Sequence, residues 1–125
     1  MSDDAVTVTV VDHPLVVDAL ARIRDKQTPN ALFRQNLERI GTLLLELLDG
    51  LAPHYAGDWW FPFAYGWAHN EARRHPEARR LMEQARERQP RSANVAHGLA
   101  HIAYETGDIE EGARYLEGWL PAYER

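Results

Sequence analysis

Two stretches, WWFPFAYGWAHNEARRHPEARRLMEQARERQPRS (residues 59–92) and ANVAHGLAHIAYETGDIEEGARYLEGWLP (residues 93–121), decide the fold, because an offset of 34 residues brings them into register. In that register Gly66 falls on Ala100, Ala78 on Gly112, Met82 on Leu116 and Ala85 on Trp119, and Pro90 closes the first unit. Paired antiparallel helices need such a series: small side chains let two helices approach closely, and large ones fill the gap to the next pair. The breakers agree with the frame. His75-Pro76 separates the helices of the first unit, Ser92 can cap the next helix, and Gly107-Asp108 supplies a stop and a fresh cap. The spacing predicts four helices, over residues 59–73, 76–88, 93–106 and 109–120.

Moving toward the amino terminus, the texture changes at Asp49-Gly50-Leu51-Ala52-Pro53, where a turn dipeptide and a proline follow a leucine-rich run. This divides the chain into residues 1–50 and 51–125. Within the first part, Val6-Thr7-Val8-Thr9-Val10-Val11 alternates at period two and predicts a short strand with Val6, Val8 and Val10 on one face. A lone strand leaves backbone N–H and C=O groups unpaired, which makes this run a candidate contact with another chain or another copy. Pro14 then opens a short amphipathic helix through Leu15, Ala19, Leu20 and Ile23. Thr28 is the expected cap of a second helix, with Pro29 first and Leu32, Phe33, Leu37, Ile40, Leu44 and Leu47 at helical spacing.

Composition narrows the function classes. The chain has 125 residues, enough for one domain or two very small ones, and 45% of them are apolar, so it can collapse around a core. A net charge of −5 lacks the overall positive field that nucleic acid or an anionic membrane attracts, so neither is an expected partner. The absence of cysteine excludes disulfides, a thiol nucleophile and cysteine-ligated zinc. With no apolar run of about 18 residues and no signal-peptide pattern at Met1, the expected location is cytoplasmic.

Two resemblances cover different parts of the chain. Asp58-Trp59-Trp60-Phe61, the run Ala96-His97-Gly98-Leu99-Ala100-His101, Tyr104-Glu105-Thr106-Gly107-Asp108 and the ending Gly118-Trp119-Leu120-Pro121 resemble bacterial tetratricopeptide repeat protein 38-like proteins, over residues 48–125. The resemblance implies a non-catalytic α-solenoid. Val11-Asp12-His13-Pro14-Leu15, Arg24-Asp25-Lys26-Gln27-Thr28, Phe33-Arg34 and Ile40-Gly41 followed by Leu43-Leu44 are similar to the amino-terminal arm of uracil phosphoribosyltransferases, over residues 6–47. In that family two adjacent acidic residues and a Thr/Gly-rich loop hold phosphoribosyl pyrophosphate. Nothing after residue 50 supplies that loop, so the resemblance carries no activity. Together the two imply a composite chain, a natural fusion or an engineered chimera.

The candidate chemical groups each have a plain structural reading. His97 and His101 lie four apart on one helix face, but two ligands do not make a metal site, and with His69 they are expected as a buried polar cluster. In the aromatic run, Trp60, Phe63 and Trp67 fall on one face, and Trp59, Phe61 and Tyr65 spread around the other, mainly as core. Arg73, Arg74, Arg79, Arg80, Arg86, Arg88 and Arg91 alternate with Glu71, Glu77, Glu83 and Glu87, the pattern of a solvated helix laced with i,i+4 pairs.

The expectation is therefore an all-α chain, a short solenoid or bundle of two helix pairs with two preceding helices and an N-terminal strand. No catalytic residue, metal or cofactor is expected. The function expected is binding of a protein partner or self-association as a homodimer, with Val6, Val8, Val10, Trp59, Phe63, Trp119, Leu120 and Tyr123 as candidate contacts. One alternative is a regulatory or partial relative of uracil phosphoribosyltransferase acting through the amino-terminal arm, and another is a fused or engineered chimera without a selected function.

Overall fold

The computed structural model describes Val10 and residues 12–123, and it is built from helices: α1 (Pro14–Arg24), α2 (Asn30–Leu51), α3 (Trp60–Glu71), α4 (His75–Arg88), α5 (Ala93–Thr106) and α6 (Ile109–Tyr123). They form successive antiparallel pairs, α1 with α2, α3 with α4 and α5 with α6, and α2 packs on α3 as α4 packs on α5. The expected strand falls almost wholly outside the described residues. Among those described there is no strand, and Val10 has no regular structure and is 82% exposed.

The 34-residue register is visible in the packing. A Cβ on Gly66 of α3 would lie 3.1 Å from Met82 Cγ and 3.2 Å from the Ala78 carbonyl of α4. One register on, Ala100 and Gly112 take the places of Gly66 and Ala78, and a Cβ on Gly112 of α6 would lie 3.9 Å from the Ala100 carbonyl and 2.9 Å from Ala103 Cβ in α5. The helix ends repeat as well. Gly107 ends α5 with φ of 85°, and the Asp108 amide donates to the Ala103 carbonyl at 2.8 Å. At the equivalent end of α3, Arg73 takes φ of 58° and the Arg74 amide donates to the His69 carbonyl at 2.8 Å. Both are Schellman closures, one made by a glycine and one by an arginine in the same left-handed conformation.

Two cores share α3 as a wall. Ala78, Met82 and Ala85 of α4 meet Val95, Leu99 and Ile102 of α5, with Trp59, Phe63, Trp67 and Tyr115 half-buried against them. Leu45 and Leu48 of α2 meet Phe61 and Ala68 of α3, joined by Tyr65 and Ala72. The face assignment of the aromatic run is corrected accordingly. Trp59, not Trp60, lies with Phe63 and Trp67, while Trp60 is 45% exposed and leans on Tyr55 at 5.3 Å between ring centres. The 59/63/67 spacing of four keeps one helical face, which residue 60 leaves by about 100°.

Three other boundaries differ from expectation for local reasons. Thr28 does not cap α2: its hydroxyl donates to the Arg22 carbonyl at 2.6 Å, closing the end of α1, and Pro29 stands at the α2 N-cap without a side-chain bond. Asp49-Gly50 is not a turn. The Asp49 carboxylate accepts the Tyr65 hydroxyl, and α2 continues to Leu51 before a 3₁₀ turn at Ala52–His54. At the other end α6 runs past Pro121 to Tyr123, whose carbonyl accepts from the Arg91 guanidinium at 3.0 Å.

Candidate functional site

α2 is almost twice as long as α3, and its first half projects beyond the α3 C-terminus toward the last turns of α5. The space between holds a groove of about 410 Å³ lined by Phe33, Arg34 and Leu37 of α2, Asn70, Glu71 and Arg73 at the end of α3, and His101, Tyr104 and Glu105 of α5. Tyr104 and Phe33 expose aromatic surface there.

The polar floor is organised around Glu105. Asn70, only 2% exposed, donates from Nδ2 to Glu105 Oε1 at 3.3 Å, and its Oδ1 lies 3.1 Å from His75 Nδ1. His75 Nε2 lies 4.0 Å from Glu105 Oε2, and His101 Nδ1 lies 3.7 Å from Glu105 Oε1. Side chains from three helices therefore surround one carboxylate, and Asn70 is the one that hydrogen-bonds it. Glu71 is different: burial, and then the like charge of Glu105, push its carboxyl above the usual range. The nearby Arg73 lies with Nε 3.8 Å from Glu38 Oε2, both about half exposed. The floor therefore offers acceptors at Glu105 and Glu71 beside the rings of Tyr104 and Phe33, suited to a donor-rich group, while Arg34 and Arg73 bring guanidiniums to the same groove.

The structure separates the expected histidine cluster. His69 is 6% exposed, its ring tilted against Tyr65 with centres 4.7 Å apart, neither ring nitrogen bonded, and burial lowers its pKa. His97 and His101 are exposed on α5, with ring centres 4.8 Å apart and both edge-on to Trp67. The cause is the face each occupies: His69 follows Tyr65 on the same face of α3, whereas His97 and His101 lie on the open side of α5. Among the described residues no group of three or more His, Asp or Glu side chains is placed to hold a metal ion, and no helix is long and apolar enough to cross a membrane.

Of the expected contact residues, Val6 and Val8 lie outside the described residues. Trp59 and Phe63 are half-buried in the α3/α4/α5 core, and the Trp119 indole donates to the Pro90 carbonyl at 2.8 Å. Leu120 and Tyr123 are exposed on α6. The arginines pair mainly between helices rather than along one. Arg79 reaches Glu111 at 2.9 Å and Asp108 at 3.3 Å, Arg86 lies over the Tyr115 ring, and Arg88 donates to the Ala56 carbonyl; among the arginines between residues 73 and 91 the local pair is Arg80 with Glu77. Asn70, Glu71, Tyr104 and Glu105 were not singled out as a site from the sequence. The His101-x-x-x-Glu105 spacing is a local signal that could have brought one of them, Glu105, to a histidine already among the candidates.

Part of the chain is similar to uracil phosphoribosyltransferases. The enzyme of Kocuria rhizophila is 54% identical over 37 residues, 30% of this chain and 18% of the enzyme. That of Renibacterium salmoninarum is 57% identical over the same length, and that of Caulobacter sp. strain K31 is 54% identical over 48 residues, 38% of this chain and 23% of the enzyme. The chain thus spans about a fifth of the length of these curated relatives. No solved structure matches. From His69 to the end of the sequence, across α4, α5 and α6 where the 34-residue register was read, residues 69–125 match the tetratricopeptide repeat family.

Proposed function

We propose that this chain is a non-catalytic protein-interaction module that receives a segment of a partner protein in the groove between α2, α3 and α5. The observation that carries the reading is the pair of carboxylates at Glu71 and Glu105 beside the exposed rings of Phe33 and Tyr104. Burial and the like charge of Glu105 both oppose ionisation of Glu71, and a lysine or arginine from a partner would offset both and favour the carboxylate. The repeat match over residues 69–125 supports the same reading, because tetratricopeptide repeats serve as interaction modules. We read the repeat half more narrowly as akin to tetratricopeptide repeat protein 38-like proteins, on the Ala96-His97 and Ala100-His101 run.

Panning a displayed peptide library over the full-length chain tests this. Enriched peptides should carry lysine or arginine next to an apolar or aromatic residue, and their binding should weaken at least about tenfold for Tyr104→Ala and for Glu105→Gln. Binders that ignore both substitutions would place the interaction elsewhere. A second reading rests on the matched segment at 54–57% identity: the arm docks on a uracil phosphoribosyltransferase. A change in such an enzyme's activity on adding this chain supports it, and no change removes it.

A further inference from the structure

The face of α4 that engages the next helix pair is read at residues 75, 79, 82 and 86, and the same stripe runs on to the C-cap Gln89. His75 reaches Glu105, Arg79 reaches Asp108 and Glu111, Met82 is buried in the core against α5, and Arg86 lies over Tyr115. Advancing that stripe by the 34-residue register lands on Ile109, Ala113, Leu116, Leu120 and Tyr123 of α6. Three polar or charged positions have become apolar or aromatic in the shift (His75 to Ile109, Arg86 to Leu120, Gln89 to Tyr123), and Arg79 has become Ala113.

On α6 this stripe is open. Ile109 is 58% exposed, Leu120 50% and Tyr123 47%, Ala113 is exposed and Leu116 is half-buried. The spacings of four, three, four and three residues keep all five within about 80° of one another around the helix, the seam by which one helix packs along another. One edge of the seam merges with the packed side of α6 through Gly112 and Trp119; the other carries the exposed carboxylates of Glu110 and Glu117. A second copy laid antiparallel on this seam would oppose those carboxylates to their own counterparts, which disfavours self-pairing here.

We infer that the outer face of α6 is a docking site for an amphipathic helix of another protein, whose leucine-type seam lies on Ile109, Ala113, Leu116, Leu120 and Tyr123 and whose basic edge meets Glu110 and Glu117. The occupant follows from continuity with the α4-to-α5 interface and from the charge beside the seam. The site is separate from the groove, so each stands or falls alone.

The test uses the full-length chain and two synthetic peptides of equal length with the same leucine seam, one edged with lysine and one with glutamate, titrated by isothermal calorimetry. The lysine peptide should bind at least about tenfold more tightly than the glutamate peptide, and Leu120→Glu should remove that binding. Leu120 is half exposed, so a charge there leaves the fold intact, and circular dichroism checks this. The double variant Glu110→Lys/Glu117→Lys should reverse the preference. An unreversed preference would mean generic attraction to an acidic chain and overturns the site. Undiminished binding by Leu120→Glu overturns it too, as does a wild-type dimer in sedimentation equilibrium that Leu120→Glu dissociates, since a second copy would then occupy the seam.

Discussion

Gly41→Ala tests whether α2 rests on α3 where the structure places it. A Cβ at residue 41 would lie 2.8 Å from Glu71 Cβ, 3.0 Å from the Ala72 nitrogen and 3.1 Å from the Glu71 carbonyl carbon. Two of those neighbours are backbone at the closed end of α3 and cannot swing aside, so the helices must separate locally, an overpacking cost of about 2–3 kcal/mol. Alanine returns about 1 kcal/mol through helix propensity, leaving a net loss of about 1–2 kcal/mol. Gly50→Ala is the internal control. It lies in the same helix with no atom within 4 Å of its would-be Cβ, so it should gain about 0.5–1 kcal/mol. In thermal unfolding followed by circular dichroism the two variants should move in opposite directions and differ by roughly 10 °C in Tm. Equal stabilisation by both would falsify the α2–α3 crossing at Gly41, and with it the groove.

At Arg73, φ of 58° in a non-glycine residue costs about 1 kcal/mol, and the Glu38 contact at 3.8 Å between half-exposed groups returns little, so Arg73→Gly should raise stability by about 1 kcal/mol in urea titration; a loss would show that the Glu38 pair outweighs the backbone. His69 is neutral when folded, its pKa lowered by burial from an ordinary 6.5, so the unfolded state binds the proton more readily. Its contribution is complete above about pH 7 and declines as the pH falls through 6.5 toward the depressed value. His69→Phe should therefore flatten the fall in Tm between about pH 7 and pH 5, and an unchanged slope would acquit His69. Gly66→Leu drives a side chain into Met82 and Ala78 and should cost about 3 kcal/mol or more, read as lost Tm with secondary structure retained at low temperature; no change would mean the repeat frame is misassigned.

The repeat half was legible because its signals are local and periodic. Ala93–Thr106 is found as expected, since Ser92 accepts from the Val95 amide at one end and Gly107 closes the other. What the sequence concealed depends on contacts between distant residues. Thr28 reads as a cap for the helix after it, yet its hydroxyl turns back six residues to Arg22. Asp49-Gly50 reads as a turn because nothing nearby says that Tyr65 will bind the aspartate. The aromatic run was misphased by one residue because helix α3 starts at Trp60, with Trp59 as its N-cap, and a continuous aromatic series offers no polar position to set the phase. The candidate groove was hidden most fully, since its floor joins Asn70, His75 and Glu105 across three helices.

The groove follows from unequal helix lengths. Twenty-two residues give α2 about 33 Å, whereas twelve give α3 about 18 Å. The two run antiparallel, with Leu45 and Leu48 packed on the α3 core and Gly41 at its last residues, Glu71 and Ala72. Residues 30–40 of α2 therefore have no α3 to rest on. Their apolar side chains Phe33 and Leu37 face the gap instead, and α5, which runs on to Thr106, closes its far side with His101, Tyr104 and Glu105. The Schellman closure at Arg73 is what keeps α3 short, because a left-handed residue there reverses the chain into α4 before α3 can fill the space. A helix pair of matched lengths would have packed this region solid. The overhang, set by where α3 stops, converts part of a core into a cleft with carboxylates at its floor.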